Sequence, residues 1–149
     1  MKDASNNKAV PTKTDLEKII SKGDTKLMVE KAETFGSYLA KKIARNDGST
    51  IHGSNLTTSQ IRNFFGTVKK IEAKGFNTSG SEREFLLLKP KLAYAAQRDK
   101  GSKLMDMKDV MIDAIDIVTS GDGDKKEKFN NFCDFFEAIL CYHKAQGGR

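Results

Sequence analysis

The sequence predicts an all-α protein, a single helical bundle of about five antiparallel helices. Three observations favour this fold class. Apolar residues recur at three- and four-residue steps through most of the chain, which is the period of an amphipathic helix. Strand-like alternation is not sustained over a useful length, and the 149 residues include only two prolines. Short connections between the apolar segments are typical of a bundle with one core.

Residues 1–14 are predicted to form a flexible tail, and residues 15–149 the helical domain. Val10 is nearly the only large apolar side chain of the tail, which therefore lacks the apolar core of a signal peptide. No apolar run reaches transmembrane length, so we expect a cytoplasmic protein with no membrane partner. Cys133 and Cys141 lie roughly 12 Å apart on one predicted helix, too far for a disulfide, which fits a reducing compartment.

A first helix is predicted from about Asp15 or Asp24 to Asn46. Its apolar face consists of Leu27, Met28, Ala32, Phe35, Leu39 and Ile43. The stretch from Asp47 to Asn55 is rich in turn-forming residues and is interpreted as a loop.

The start of the second helix is the clearest in the sequence. Thr57 and Gln60 have the spacing of a capping box, and Leu56 and Ile61 that of a hydrophobic staple. The helix is expected to end at Gly75. Its apolar stripe consists of Ile61, Phe64, Phe65, Val68 and Ile71.

A third helix is predicted from about Ser81 to Arg98. Pro90 lies inside it and predicts a kink or a break, because proline removes one backbone hydrogen bond and crowds the preceding turn. The apolar side chains of this segment are Phe85, Leu86, Leu88, Leu92 and Tyr94–Ala96.

The last two helices are separated by a turn of glycines and aspartates. The fourth helix is expected to stop at Gly121, and its apolar positions are Leu104, Met107, Met111, Ala114, Ile115 and Val118. Asp124 with Glu127 predicts the N-cap of the fifth helix, which is expected to end at Gly147. The fifth helix carries Phe129, Phe132, Cys133, Phe136, Ile139, Leu140 and His143.

Four aspartates at helical spacing could act as acid and base or hold a divalent metal: Asp106, Asp109, Asp113 and Asp116. Their face lies roughly opposite the apolar stripe of the fourth helix, so we interpret them as a solvated acidic face. That face could instead meet a basic surface of a neighbour.

Other patterns that could carry chemistry are incomplete. His52, His143, Cys133 and Cys141 lack the close pairing that holds a structural zinc. The run from Gly121 to Asp124 lacks the further ligand positions of a calcium loop, and no phosphate-binding glycine loop is present. We therefore predict no catalytic residue, no metal site and no cofactor.

The basic residues are more informative. The formal net charge is +6, which favours polyanionic partners. Arg62, Gly66, Lys69 and Lys70 form a line on the second helix, and the glycine would let a backbone approach closely. A second line on the third helix consists of Lys91, Tyr94, Ala95 and Arg98. Such lines can bind phosphates while an aromatic ring stacks on a base. Alternatively, the lysines only coat the bundle and Tyr94 belongs to the core.

Three segments together resemble one known family. They are LTTSQIRNFF from Leu56 to Phe65, LLLKPKLAYAAQRD from Leu86 to Asp99, and FCDFFEAILCYHKAQGG from Phe132 to Gly148. In this order and spacing they resemble the small subunit of the Csm effector complex of type III-A CRISPR systems. The resemblance covers roughly residues 56–148.

The resemblance implies a helical, non-catalytic subunit of a complex for antiviral defence. Its partners would be CRISPR RNA and target RNA, the other subunits of the complex, and copies of itself in a short filament. With the basic lines, it implies RNA-binding residues at Arg62, Lys69, Lys70, Lys91, Arg98 and Lys144. Gln97 and Pro90 depart from the usual family pattern. The alternative is a helical protein–protein adaptor without direct nucleic-acid contact.

Overall fold

The computed structural model describes residues 9–40, 43–44, 50–51, 58–98 and 103–146. The predicted all-α bundle is confirmed. Its helices are α1 (Lys13–Leu16), α2 (Thr25–Ala40), α3 (Thr58–Lys74), α4 (Ser81–Leu86), α5 (Leu88–Arg98), α6 (Leu104–Thr119) and α7 (Lys125–Ala145). A π-helical turn, Glu17–Ser21, continues α1, and two short strands are β1 (Ile43–Ala44) and β2 (Thr50–Ile51).

The N-terminal helix begins at Lys13, inside the segment predicted as a tail. Thr12 caps it through a reciprocal capping box, in which the Asp15 amide donates to Thr12 Oγ1 (3.1 Å) and the Thr12 amide to Asp15 Oδ2 (3.0 Å). α1 and the π-helical turn that continues it are part of the core, because three of their side chains are fully buried: Leu16, Ile19 and Ile20. Of the two predicted starts of the first helix, Asp24 is confirmed, because α2 begins at Thr25 and the Asp24 side chain accepts from the Leu27 amide at 3.1 Å. Gly23, with a φ of 67°, separates α2 from the N-terminal helical segment.

The predicted end of the first helix at Asn46 is wrong. α2 ends at Ala40, and the chain then forms an antiparallel strand pair in which Ile43 lies opposite Ile51. The β-branched residues of this pair favour extended backbone, which is consistent with a helix that ends before Ile43 although the apolar period continues to it. Part of the predicted loop is thus a strand.

The second predicted helix is confirmed as α3. It ends at Lys74, and Gly75 follows with a φ of 96°, a conformation that favours glycine. Thr57 and Leu56 lie outside the described residues, so the capping box and the staple stay predictions.

The break predicted around Pro90 is also confirmed. α4 ends at Leu86, and Leu87 separates it from α5. Pro90 is the third residue of α5, where a backbone N–H has no partner within the helix. Pro90 therefore costs α5 no hydrogen bond in its first turn, whereas within a continuous helix from α4 it would remove one.

A buried lysine closes the turn between α6 and α7. Gly121 and Gly123 have φ angles of 75° and 104°, and the Asp124 side chain accepts from the Lys126 amide at 2.9 Å, which confirms the predicted N-cap. The Lys128 ammonium is buried against this turn and donates to the Ser120 carbonyl at 2.9 Å. It thereby balances the partial negative charge at the end of α6.

We expect Lys128→Met to lower the free energy of unfolding by about 1–2 kcal/mol, since the end of α6 loses both a donor and a positive charge. Urea unfolding followed by circular dichroism measures this. The matched control is Lys126→Met, which changes an exposed side chain and should stay within about 0.5 kcal/mol of the wild type. Equal losses in the two variants would contradict a capping role for Lys128.

Two kinds of packing hold α7 at the centre of the bundle. One is a cluster of phenylalanine rings in which the centroids of contacting pairs are 4.7–6.4 Å apart, made of Phe65, Phe76, Phe85, Phe129, Phe132 and Phe136. The other is a close approach of α2 to α7 at Gly36. A Cβ placed on Gly36 would lie 2.8 Å from the Ile139 carbonyl oxygen and 2.9 Å from the Tyr142 Cβ.

Candidate nucleic-acid interface

The outer side of α3 is open. Ile61, Val68 and Ile71 are buried, whereas Arg62 and Gly66 are exposed. A Cβ on Gly66 would meet nothing within 4 Å, so the surface around it is unobstructed. A glycine in the middle of an exposed helix costs about 0.5–1 kcal/mol relative to alanine.

The predicted RNA-binding residues are distributed over three helices, α3, α5 and α7. Phe65 contacts Phe136 and Phe76 contacts Phe129, so α3 and α7 are antiparallel. The ion pair between Lys89, early in α5, and Asp116, late in α6, indicates that these two helices are antiparallel as well. Along α3, Arg62 lies near the beginning, and Lys69 and Lys70 lie about two turns later, where the Lys69 ammonium is 4.0 Å from Glu137 of α7. Lys91 lies in the first turn of α5, whereas Arg98 and Lys144 lie in the last turns of α5 and α7.

The two predicted basic lines meet around one carboxylate. Glu84 on α4 lies between the end of α3 and the beginning of α5, and the Lys74 ammonium is 3.0 Å from its Oε1. This hydrogen bond holds the pKa of Glu84 below its usual value, and Lys70 and Lys91 are close enough to lower it further. Three positive charges thus face a single negative one, and the surface joining α3 to α5 is basic.

Lys74 was not among the RNA-binding residues predicted from the sequence. Its position could have indicated it, because Lys74 follows Lys70 by four residues and so lies on the same side of the helix. We name the group formed by Lys70, Lys74, Glu84 and Lys91 the lysine cluster.

Lys69 is in different surroundings from its neighbour Lys70. Its ammonium lies 2.8 Å from Glu72 Oε1 and 4.0 Å from Glu137 Oε1 on α7. The hydrogen bond to Glu72 raises the pKa of Lys69, and Glu137 acts in the same direction. Burial raises the pKa of the neighbouring Asp134, and the negative charges of Glu72 and Glu137 raise it further. The predicted line on α3 is therefore divided between a basic and an acidic environment.

The second predicted line is exposed on α5. Lys91, Tyr94 and Arg98 project away from the buried Leu92, and 65% of Tyr94 is accessible to solvent. The alternative that Tyr94 belongs to the core is wrong. The Arg98 guanidinium carbon lies 5.8 Å from the centroid of the Tyr94 ring, a cation–π contact.

The acidic row on α6 is only partly solvated. Asp109 and Asp116 are exposed as predicted, and each pairs with a lysine at 2.5 Å. Asp106 is half-buried and accepts a hydrogen bond from the Tyr38 hydroxyl, also at 2.5 Å. Burial raises the pKa of Asp113. One member of the row therefore links α6 to α2.

The side chains considered as zinc ligands differ in burial. Cys133 and His143 are buried and Cys141 is exposed, while His52 lies outside the described residues. Within the described ranges, no group of three or more His, Cys, Asp or Glu side chains is arranged to hold a metal ion. Among the helices described, none combines the length and apolarity needed to cross a bilayer.

Comparison with known proteins bears on the resemblance found in the sequence. A family model described as Csm2 Type III-A matches residues 39–149, which include α3 to α7 and every predicted RNA-binding residue. No curated protein and no solved structure gives a significant match. The match covers most of the chain and confirms the resemblance. The chain therefore belongs to the Csm2 Type III-A family, the small subunit of type III-A CRISPR effector complexes.

Proposed function

We propose that this subunit is non-catalytic and binds the sugar–phosphate backbone of CRISPR RNA paired with target RNA. In this way it helps to hold or monitor guide–target complementarity in antiviral defence. The observation that carries the proposal is the lysine cluster, through which α3 and α5 present one basic surface. Cations on rigid helices contact phosphates without reading bases. This suits a subunit that must accept any guide, because sequence is read by base pairing.

Further residues extend the basic surface. From Arg62 to Lys70 the rise along α3 is about 12 Å, and from Lys91 to Arg98 along α5 about 10 Å. Both rows are exposed, and the open surface at Gly66 leaves room for a backbone. We include Lys144, exposed near the end of α7, in the proposed interface. Copies of the chain in a short filament would add their weak contacts along one duplex, within a cytoplasmic complex.

The alternative function is that of an adaptor that binds only protein. Two observations favour it: Lys69 is engaged by carboxylates, and Leu87, which separates α4 from α5, is 47% exposed. An adaptor would show no salt-sensitive binding of RNA.

We expect Lys70→Ala combined with Lys91→Ala to weaken binding of a guide–target RNA duplex by about fivefold per substitution. The slope of log affinity against log salt should fall by about one unit or less for each lysine. Fluorescence anisotropy of the purified chain over a range of salt concentrations measures both quantities. Lys26→Ala, which changes an exposed lysine on α2, is the matched control.

Two further comparisons sharpen this experiment. Lys69→Ala should weaken binding less than Lys70→Ala, because Glu72 and Glu137 already engage the Lys69 ammonium. Duplexes of unrelated sequence should lose affinity equally, since the contacts are to phosphates. Unchanged affinity and salt slope in a folded Lys70→Ala/Lys91→Ala variant would refute the proposed interface, and a loss confined to one sequence would indicate base readout.

A further inference from the structure

An exposed aromatic ring on α5 is not explained by binding to phosphates or by the core. Tyr94 is the most exposed large apolar or aromatic side chain in the described part of the chain, with 65% of its surface accessible. The buried side of α5 is already supplied by Leu88, Leu92 and Ala96. The ring therefore lies outside the buried face of α5.

Positive charges flank the ring along the helix. Lys91 precedes Tyr94 by three residues and Arg98 follows it by four, which places all three side chains on one side of α5. The Arg98 guanidinium lies over the ring at 5.8 Å, a contact that favours a fixed ring orientation. An aromatic ring between cations is the arrangement with which proteins bind single-stranded nucleic acid, because the base stacks while the cations contact phosphates.

We propose that Tyr94 stacks on an unpaired nucleotide of the bound RNA, with Lys91 and Arg98 contacting its neighbouring phosphates. This inference rests on the proposed RNA binding. It adds an unpaired base to the proposed contacts with phosphates, since a ring can stack only on a base that has left the duplex. Stacking tolerates every base, because each has a π-face, so the contact is compatible with any guide.

A protein partner on the same surface would use different side chains. Leu87 immediately precedes α5, and 47% of its surface is exposed, so it is a second large apolar side chain accessible beside this helix. A protein docked there would bury both Leu87 and Tyr94. A stacked base would contact only the tyrosine ring. Leu87→Ala is therefore the control that distinguishes stacking from the docking of a protein.

The test is a double-mutant cycle between the ring and the base. Binding of oligoadenylate and of an abasic ribose-phosphate oligomer of equal length is measured for the full chain and for Tyr94→Ala. We expect the wild type to prefer oligoadenylate by about fivefold or more. Tyr94→Ala should bind both oligomers equally, while Tyr94→Phe and Leu87→Ala should keep the preference. Thermal unfolding followed by circular dichroism verifies that every variant is folded.

Each other outcome contradicts a specific statement. If the wild type binds both oligomers equally, or if Tyr94→Ala keeps the preference, stacking is refuted while phosphate binding stands. If the wild type binds neither oligomer, stacking on an unpaired nucleotide is overturned, and duplex binding is decided by the separate measurement with the guide–target duplex. If Leu87→Ala loses the preference as Tyr94→Ala does, the surface binds through general apolar contact and stacking is overturned. If both variants instead keep the preference but no longer copurify with other subunits, the surface docks a protein, and stacking is likewise overturned.

Discussion

Replacing Phe85 with alanine is expected to lower the free energy of unfolding by about 3–5 kcal/mol. The ring is fully buried, and its centroid lies 5.7 Å from that of Phe76, 5.2 Å from that of Phe129 and 5.0 Å from that of Phe132. α4 is only six residues long, and Phe85 is the one apolar side chain that it buries. Its loss would leave a cavity where α4 meets α7, and α4 is too short to hold its helical form unaided.

The next residue along the chain offers the control. Leu86 is exposed, and Leu86→Ala should change stability by no more than about 0.5 kcal/mol. Phe85→Leu retains most of the buried volume and should cost less than Phe85→Ala, about 1.5 kcal/mol. Chemical unfolding of the three variants measures the series. A small effect of Phe85→Ala, similar to that of Leu86→Ala, would contradict the ring cluster as the attachment of α4.

Replacing Gly36 with alanine is expected to destabilise the protein by about 1–3 kcal/mol, although alanine is the better helix former. The added Cβ would lie 2.8 Å from the Ile139 carbonyl oxygen and 2.9 Å from the Tyr142 Cβ. Both atoms belong to the rigid α7, so α2 must move outward and loosen the contacts of buried residues such as Phe35 and Leu39.

The same substitution at Gly66 is the matched control. Gly66 also lies inside a helix, but its Cβ would meet nothing within 4 Å. We therefore expect Gly66→Ala to stabilise the protein by about 0.5–1 kcal/mol. Thermal unfolding of the two variants should show shifts of opposite sign. Shifts of the same sign would mean that the packing of α2 on α7 does not decide the effect at Gly36.

Local signals in the sequence were sufficient for several elements. The apolar period and the glycine that follows predicted α3, and Asp124 predicted the start of α7 because a carboxylate can bond to a free amide of the first turn. Pro90 predicted the break between α4 and α5. The same reasoning failed at Asn46, where a helical period continued into residues that pair as strands. Strand pairing depends on a partner segment, which periodicity alone does not reveal.

At the candidate site, too, the sequence determined some features and the tertiary structure decided the others. By itself, the sequence determined the all-α class, the exposed cations of α3 and α5 and, through its motifs, the family resemblance. Only the tertiary structure decided that Lys70 and Lys91 lie close enough to Glu84 to lower its pKa. It also decided that two carboxylates engage Lys69 and that Tyr94 is outside the core. Helical spacing fixes the direction of a side chain about its own axis. It does not fix which helix lies opposite, because that follows from the packing of buried side chains far apart in sequence.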